Sequence, residues 1–134
     1  MKHIKYFTGI IIFIWTTHVF SGTACVPVSI TNSTKENCAL TSSENTYSYS
    51  TPTTPKRIIT NDSKEFLLCR STPFRDSVIH LNYQCGANNA TFDVTNPYAV
   101  FSSPPPSLTI INQQGLALTS NAEVSSIDIT INPA

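Results

Sequence analysis

The chain carries little charge. Asp, Glu, Lys and Arg make up 12% of its 134 residues, eight acids against eight bases. No stretch gathers enough Lys and Arg to hold a phosphate backbone, which argues against nucleic acid as a partner. Glycine is scarce too. Of four glycines, Gly9 and Gly22 fall within the first 24 residues, leaving Gly86 and Gly115. Two isolated glycines cannot build a phosphate-cradling loop, and no Gly-x-Ser-x-Gly exists to lift a serine nucleophile onto a sharp turn. The single tryptophan, Trp15, lies in the same N-terminal stretch. The rest of the chain lacks the residue best suited to stacking on sugars or anchoring at a membrane interface. Only one histidine, His80, lies beyond residue 24. A lone imidazole on the outer face of a strand reads as solvated, because catalysis needs converging partners. No Cys-x-x-Cys occurs and no acidic loop has calcium spacing, so no metal site is expected. Asp62, Glu65, Asp76 and Asp93 fall in turns or on outward strand positions, where they form no glycosidase pair. Neither catalytic residues nor a cofactor are expected. No segment keeps a helical period over ten residues.

What the chain does have begins at its N-terminus. Lys2, His3 and Lys5 precede the apolar run Gly9-Ile10-Ile11-Ile12-Phe13-Ile14-Trp15, and small or polar residues follow through Ala24. This is the order of a secretory signal peptide, and the apolar run is shorter than the ~20 residues that span a bilayer. Cleavage after Ser21 and after Ala24 both fit. The expected organisation is a signal peptide over 1–24 and one small domain over 25–134, secreted or periplasmic. Without the leader the chain keeps six bases and eight acids, a net charge of −2. Cleavage before Cys25 also suggests a lipoprotein anchored at that cysteine, although the box Gly22-Thr23-Ala24-Cys25 lacks the usual aliphatic residue three positions upstream.

All four cysteines lie at or beyond that boundary: Cys25, Cys38, Cys69 and Cys85. An even count in a small exported domain points to two disulfides. Side-chain phase offers a choice of partners. Cys38 shares a face with Leu40, and Cys85 with Ile79, Leu81 and Tyr83, so both point inward and can meet across a core. Cys69 opposes Phe66 and Leu68, and Cys25 is out of phase with Val26, Val28 and Ile30, so both point outward. The phases favour Cys38–Cys85 and Cys25–Cys69; the local pairs Cys25–Cys38 and Cys69–Cys85 are the alternative.

The clearest local structure runs from Ser77 to Val94. Ile79, Leu81, Tyr83 and Cys85 alternate with His80, Asn82 and Gln84. After Gly86-Ala87-Asn88-Asn89 the alternation resumes in Ala90, Phe92 and Val94. Period two places each set on one face of a strand, and the residues between suit a four-residue turn. Further strands are expected at 26–32, with Pro27 at an edge or at the start of a strand, and at 38–41, 57–60 and 65–70. The last of these has hydrophobic residues on both faces, as a central strand would. Residues 108–118 read as a second hairpin with left-handed Gly115, and Ile127, Ile129 and Ile131 mark a final strand. Seven to nine short strands at this cadence predict an all-β, antiparallel, Greek-key-like sandwich stapled by disulfides.

The aromatic residues Tyr47, Tyr49, Phe74, Tyr98 and Phe101 fall in loops or at strand ends. Gathered at one end of a sandwich they form a candidate surface for a lipid, a glycan or a protein. The polar stretch 42–56 and the Pro-flanked stretch 97–107 would carry it. Three Asn-x-Ser/Thr triplets, at Asn32, Asn61 and Asn89, are all placed in turns.

The Ile30-Thr31-Asn32 strand end, Cys38 and Leu40 soon after, Asn61-Asp62-Ser63-Lys64 before Phe66, and Leu81-Asn82-Tyr83-Gln84-Cys85 leading to Phe92 resemble a group of small exported bacterial proteins without established activity. The resemblance implies a compact β-sandwich and favours the Cys38–Cys85 pair. The Ile-x-Asn strand, Cys69-Arg70 and Tyr83-Gln84-Cys85 are also similar to aegerolysins, β-sandwich proteins that bind membrane lipids. This chain departs from them in lacking their tryptophans and in carrying a leader, and no lipid-binding residue transfers. The expected function is a non-enzymatic interaction protein whose partner is an unknown protein or a lipid surface.

Overall fold

The structure is a computed structural model and describes residues 25–46, 52–70, 74–98 and 104–134. The expected signal peptide, and the expected lipid box apart from Cys25, lie outside these residues. The described residues form nine strands: β1 (Cys25–Asn32), β2 (Cys38–Thr46), β3 (Arg57–Ile58), β4 (Ser63–Cys69), β5 (Ser77–Cys85), β6 (Asn88–Asn96), β7 (Ser107–Gln114), β8 (Leu116–Glu123) and β9 (Ser126–Pro133). They make two sheets, β4-β1-β9-β8 and β3-β2-β5-β6-β7. The sandwich expected from the strand cadence is present. Its pairs are antiparallel except β1–β9, which runs parallel.

The core follows from alternation. β5 buries Ser77, Ile79, Leu81, Tyr83 and Cys85 and leaves Val78, His80 and Asn82 half-buried. β6 buries Ala90, Phe92, Val94 and Asn96. From the other sheet come Val26, Val28 and Ile30 of β1, Phe66 and Leu68 of β4, and Ile127, Ile129 and Ile131 of β9. Tyr83 and Phe92 stack with ring centroids 6.2 Å apart. Interdigitation of two such inner faces is what holds a sandwich closed. The β5–β6 turn is tighter than expected. Cys85 pairs with Asn88, so only Gly86 and Ala87 remain outside the ladder. Gly86 takes φ 63° at the first turn position, where a two-residue hairpin favours glycine.

Three further sequence expectations change, and of the two places open to Pro27 the strand start holds. β1 is a central strand between β4 and β9. Pro27 is tolerated because the β9 ladder begins at Val28, so Pro27 sits at the start of the strand with β4 alone beside it. β4 is an edge strand: Phe66 and Leu68 are buried while Leu67 is exposed, so hydrophobic residues on both faces did not mean a central position. Residues 107–118 are not a hairpin. β7 belongs to one sheet and β8 to the other, and Gly115, at φ 72°, is the corner between them. β2 runs on to Thr46, beyond the short strand expected to end at Thr41.

Both disulfides join neighbouring strands within a sheet. Cys25–Cys69 links β1 to β4, and Cys38–Cys85 links β2 to β5. The inward pair therefore meets within the core on the inner face of one sheet, rather than across from sheet to sheet. Two disulfides fit an extracellular or otherwise oxidising compartment. With its sulfur in the Cys25–Cys69 bond, Cys25 has no thiol to carry a lipid, which removes the lipoprotein reading.

The register gives the sandwich two distinct ends. The upper end holds Cys25–Cys69, the end of β2, the β4–β5 and β6–β7 connections and the β8–β9 turn. Asn96 joins the sheets there, its Nδ2 donating to the Leu68 carbonyl at 2.9 Å. The lower end holds Cys38–Cys85, the Gly86-Ala87 turn and the Gly115 corner. It is tied by Asn32, whose Nδ2 donates to the carbonyls of Glu36 at 2.7 Å and Ile58 at 3.0 Å. Its Oδ1 accepts from the Thr34 amide and hydroxyl.

Candidate functional site

The β4–β5 connection leaves the core at Cys69 and returns at Ser77, and the β6–β7 connection leaves at Asn96. Because β5 and β6 pair from Ser77↔Asn96 onward, the last residues before β5 and the first after β6 must lie side by side. Asp76 fixes that contact. Its Oδ1 accepts from the Tyr98 backbone N–H at 2.9 Å, binding one loop to the other. Phe74 and Tyr98 then line one open groove with Thr46, Arg75, Asp76 and Val78, with a volume of about 520 Å³. Phe74 is 70% exposed and Tyr98 39%. Neither ring is buried in the core, and both expose surface along the groove.

Of the five aromatic residues singled out from the sequence, Phe74 and Tyr98 are therefore together. Tyr47, Tyr49 and Phe101 lie outside the described residues. Sequence reasoning missed the rest of the groove. Thr46 continues a strand that looked like a loop. Arg75 and Asp76 looked like generic loop residues, although an acid directly before a strand is well placed to accept a neighbouring loop's N–H. A second, smaller hollow of about 390 Å³ is lined by Ser43, Glu44, Asn45, Pro52 and Ile79.

His80 is not as isolated as the sequence suggested. Its Nδ1 lies 2.6 Å from Asp93 Oδ1 on the outer face of the β5–β6 pair. The register pairs Glu44 of β2 with His80 on the other side, while the ring's hydrogen-bond partner is Asp93. Asp62, by contrast, sits at the lower end, 3.6 Å from Lys64. Among the described residues no three His, Cys, Asp or Glu side chains converge to hold a metal ion. The three Asn-x-Ser/Thr triplets also part company. Asn61 is an exposed turn residue at φ 62°, but Asn32 is buried at the end of β1 and Asn89 lies within β6.

No protein-family model matches the sequence, and no curated protein matches it either. Eleven chains of known structure match the fold. One of them is the lipid binding protein Nakanori, with a TM-score of 0.61 over 89% of this chain and 75% of that one, at 13% sequence identity. At that identity the likeness shows a shared fold.

Proposed function

We propose that this chain is an exported, non-enzymatic binding module whose upper end receives a lipid surface. Residues 1–24 serve as its cleaved signal peptide, and residues 25–134 form the single working domain. The observation that carries the reading is that Phe74 and Tyr98, both exposed, line one groove in which the Tyr98 amide donates to Asp76. An aromatic ring presents an apolar body, and tyrosine adds a polar tip, which suits the boundary between acyl chains and headgroups. A structural neighbour described as a lipid binding protein supports the same direction. The test is co-sedimentation with phosphatidylcholine vesicles, alone and with cholesterol or sphingomyelin added. The wild type is expected to pellet with at least one composition, and Phe74→Ala to stay in solution. A wild type indifferent to all of them sinks the reading.

A second reading, a protein partner, is favoured by β7. This edge strand has eight residues without a charge or a proline, and Ile110 and Ile111 are 43% and 52% exposed. Edges without such protection accept an added strand. Capture of a partner that Ile111→Lys abolishes and Phe74→Ala leaves intact would select it.

A further inference from the structure

Resting on the lipid reading above, we propose that the β8–β9 tip, Val124, is a third point of membrane contact, so that the sandwich stands upright with its strands running away from the bilayer. The topology places this tip at the same end as the groove. β8 rises from Leu116, paired with Pro133 near the Gly115 corner, to Glu123, which pairs with Ser126. The two residues left outside the ladder are Val124 and Ser125.

Turn chemistry does not ask for valine there. Two-residue hairpin turns most often use glycine, asparagine and aspartate; neither Val124 nor Ser125 takes a positive φ, so the turn admits a valine without asking for one. A β-branched side chain gains nothing from the turn, and at 65% exposure Val124 packs little against the core. It projects from a polar stretch, Thr119-Ser120-Asn121-Ala122-Glu123, whose residues are all exposed.

The two ends differ in what they offer. The upper end exposes Phe74, Tyr98 and Val124; among the large hydrophobic residues, the lower end exposes Ile59. Both ends carry charges of both signs, Lys35, Glu36, Asp62 and Lys64 among them at the lower end, with Asp62 and Lys64 paired, so exposed apolar side chains rather than charge tell the ends apart. At the upper end the described charges balance, with Arg70 and Arg75 against Asp76 and Glu123. That balance, on a chain with a net charge of −2 after loss of the leader, fits a zwitterionic surface rather than an anionic one.

The experiment uses the absence of tryptophan from the processed chain. Val124→Trp and, as the opposite-end control, Ile59→Trp are mixed with phosphatidylcholine vesicles carrying brominated acyl chains. If Val124 touches the membrane, the emission of Val124→Trp shifts to the blue and is quenched, while Ile59→Trp changes in neither respect. Val124→Asp weakens vesicle binding about tenfold, the effect of withdrawing one valine side chain from an apolar phase. Wild-type co-sedimentation with an unshifted, unquenched Val124→Trp overturns this placement while the groove of Phe74 and Tyr98 stands. A wild type that co-sediments with none of the compositions named above removes the underlying lipid reading, and this inference with it.

Discussion

Gly115 shows how much one position can decide. It turns the chain from one sheet into the other at φ 72°, and a Cβ there would run into the side-chain amide of Asn88. Gly115→Ala therefore meets both a backbone penalty and a clash, and should lower stability by more than about 1 kcal/mol in urea titration. Tyr83 is the second telling residue. It is fully buried, and its hydroxyl donates to the Pro55 carbonyl at 2.6 Å. Burial raises its phenol pKa well above the ordinary value. Folding thus favours the neutral phenol. That contribution is fully present below the unfolded pKa of about 10 and is lost as pH rises from there through the folded value. The urea midpoint should fall between about pH 8 and about pH 11, and Tyr83→Phe should flatten the fall while costing about 1 kcal/mol at neutral pH. The inward place of Tyr83 was legible from its phase with Ile79 and Leu81. The place of Asn32 was not. Nothing local distinguishes an asparagine in a solvated turn from one that accepts and donates four hydrogen bonds beneath a strand end.

At the scale of elements, legibility followed burial. β5, β6 and β9 alternate because one face of each packs on the core. β7 and the outer half of β8 show little alternation because they are edge strands with both faces wet. The sequence pattern also could not say which sheet a strand joins, hence the parallel β1–β9 pair and the corner mistaken for a hairpin. Cysteine phase did carry information, since it separated the inward pair from the outward one. The two disulfides span 44 and 47 residues, so loop-closure entropy gives each about 4 kcal/mol. Their burial differs. Cys38 and Cys85 are core residues, while Cys25 is exposed and Cys69 half-buried. Replacing Cys38 and Cys85 together by serine should lower the denaturation midpoint more than replacing Cys25 and Cys69, because it also puts hydroxyls into the core. Equal losses would mean that entropy alone sets both. On the β7 edge, Ile111→Lys should change stability by less than about 0.5 kcal/mol, since the side chain is already half in water.

At the scale of the molecule, the two ends of the sandwich differ in what they expose: Phe74, Tyr98 and Val124 at the upper end, Ile59 at the lower. That division was only partly readable beforehand. The aromatic residues were visible in the sequence, but their meeting depends on β5 and β6 pairing from Ser77↔Asn96 and on Asp76 reaching the Tyr98 amide. Under the proposed function a lipid surface docks at the upper end. Amide hydrogen exchange of the protein with and without phosphatidylcholine vesicles tests it most directly. Docking there slows exchange at residues 74–78, at Tyr98 and at the Val124-Ser125 turn, and leaves β7 and the Gly86-Ala87 turn unchanged. Protection confined to β7 or to the lower turns, or no protection on vesicles that bind the protein, would contradict it.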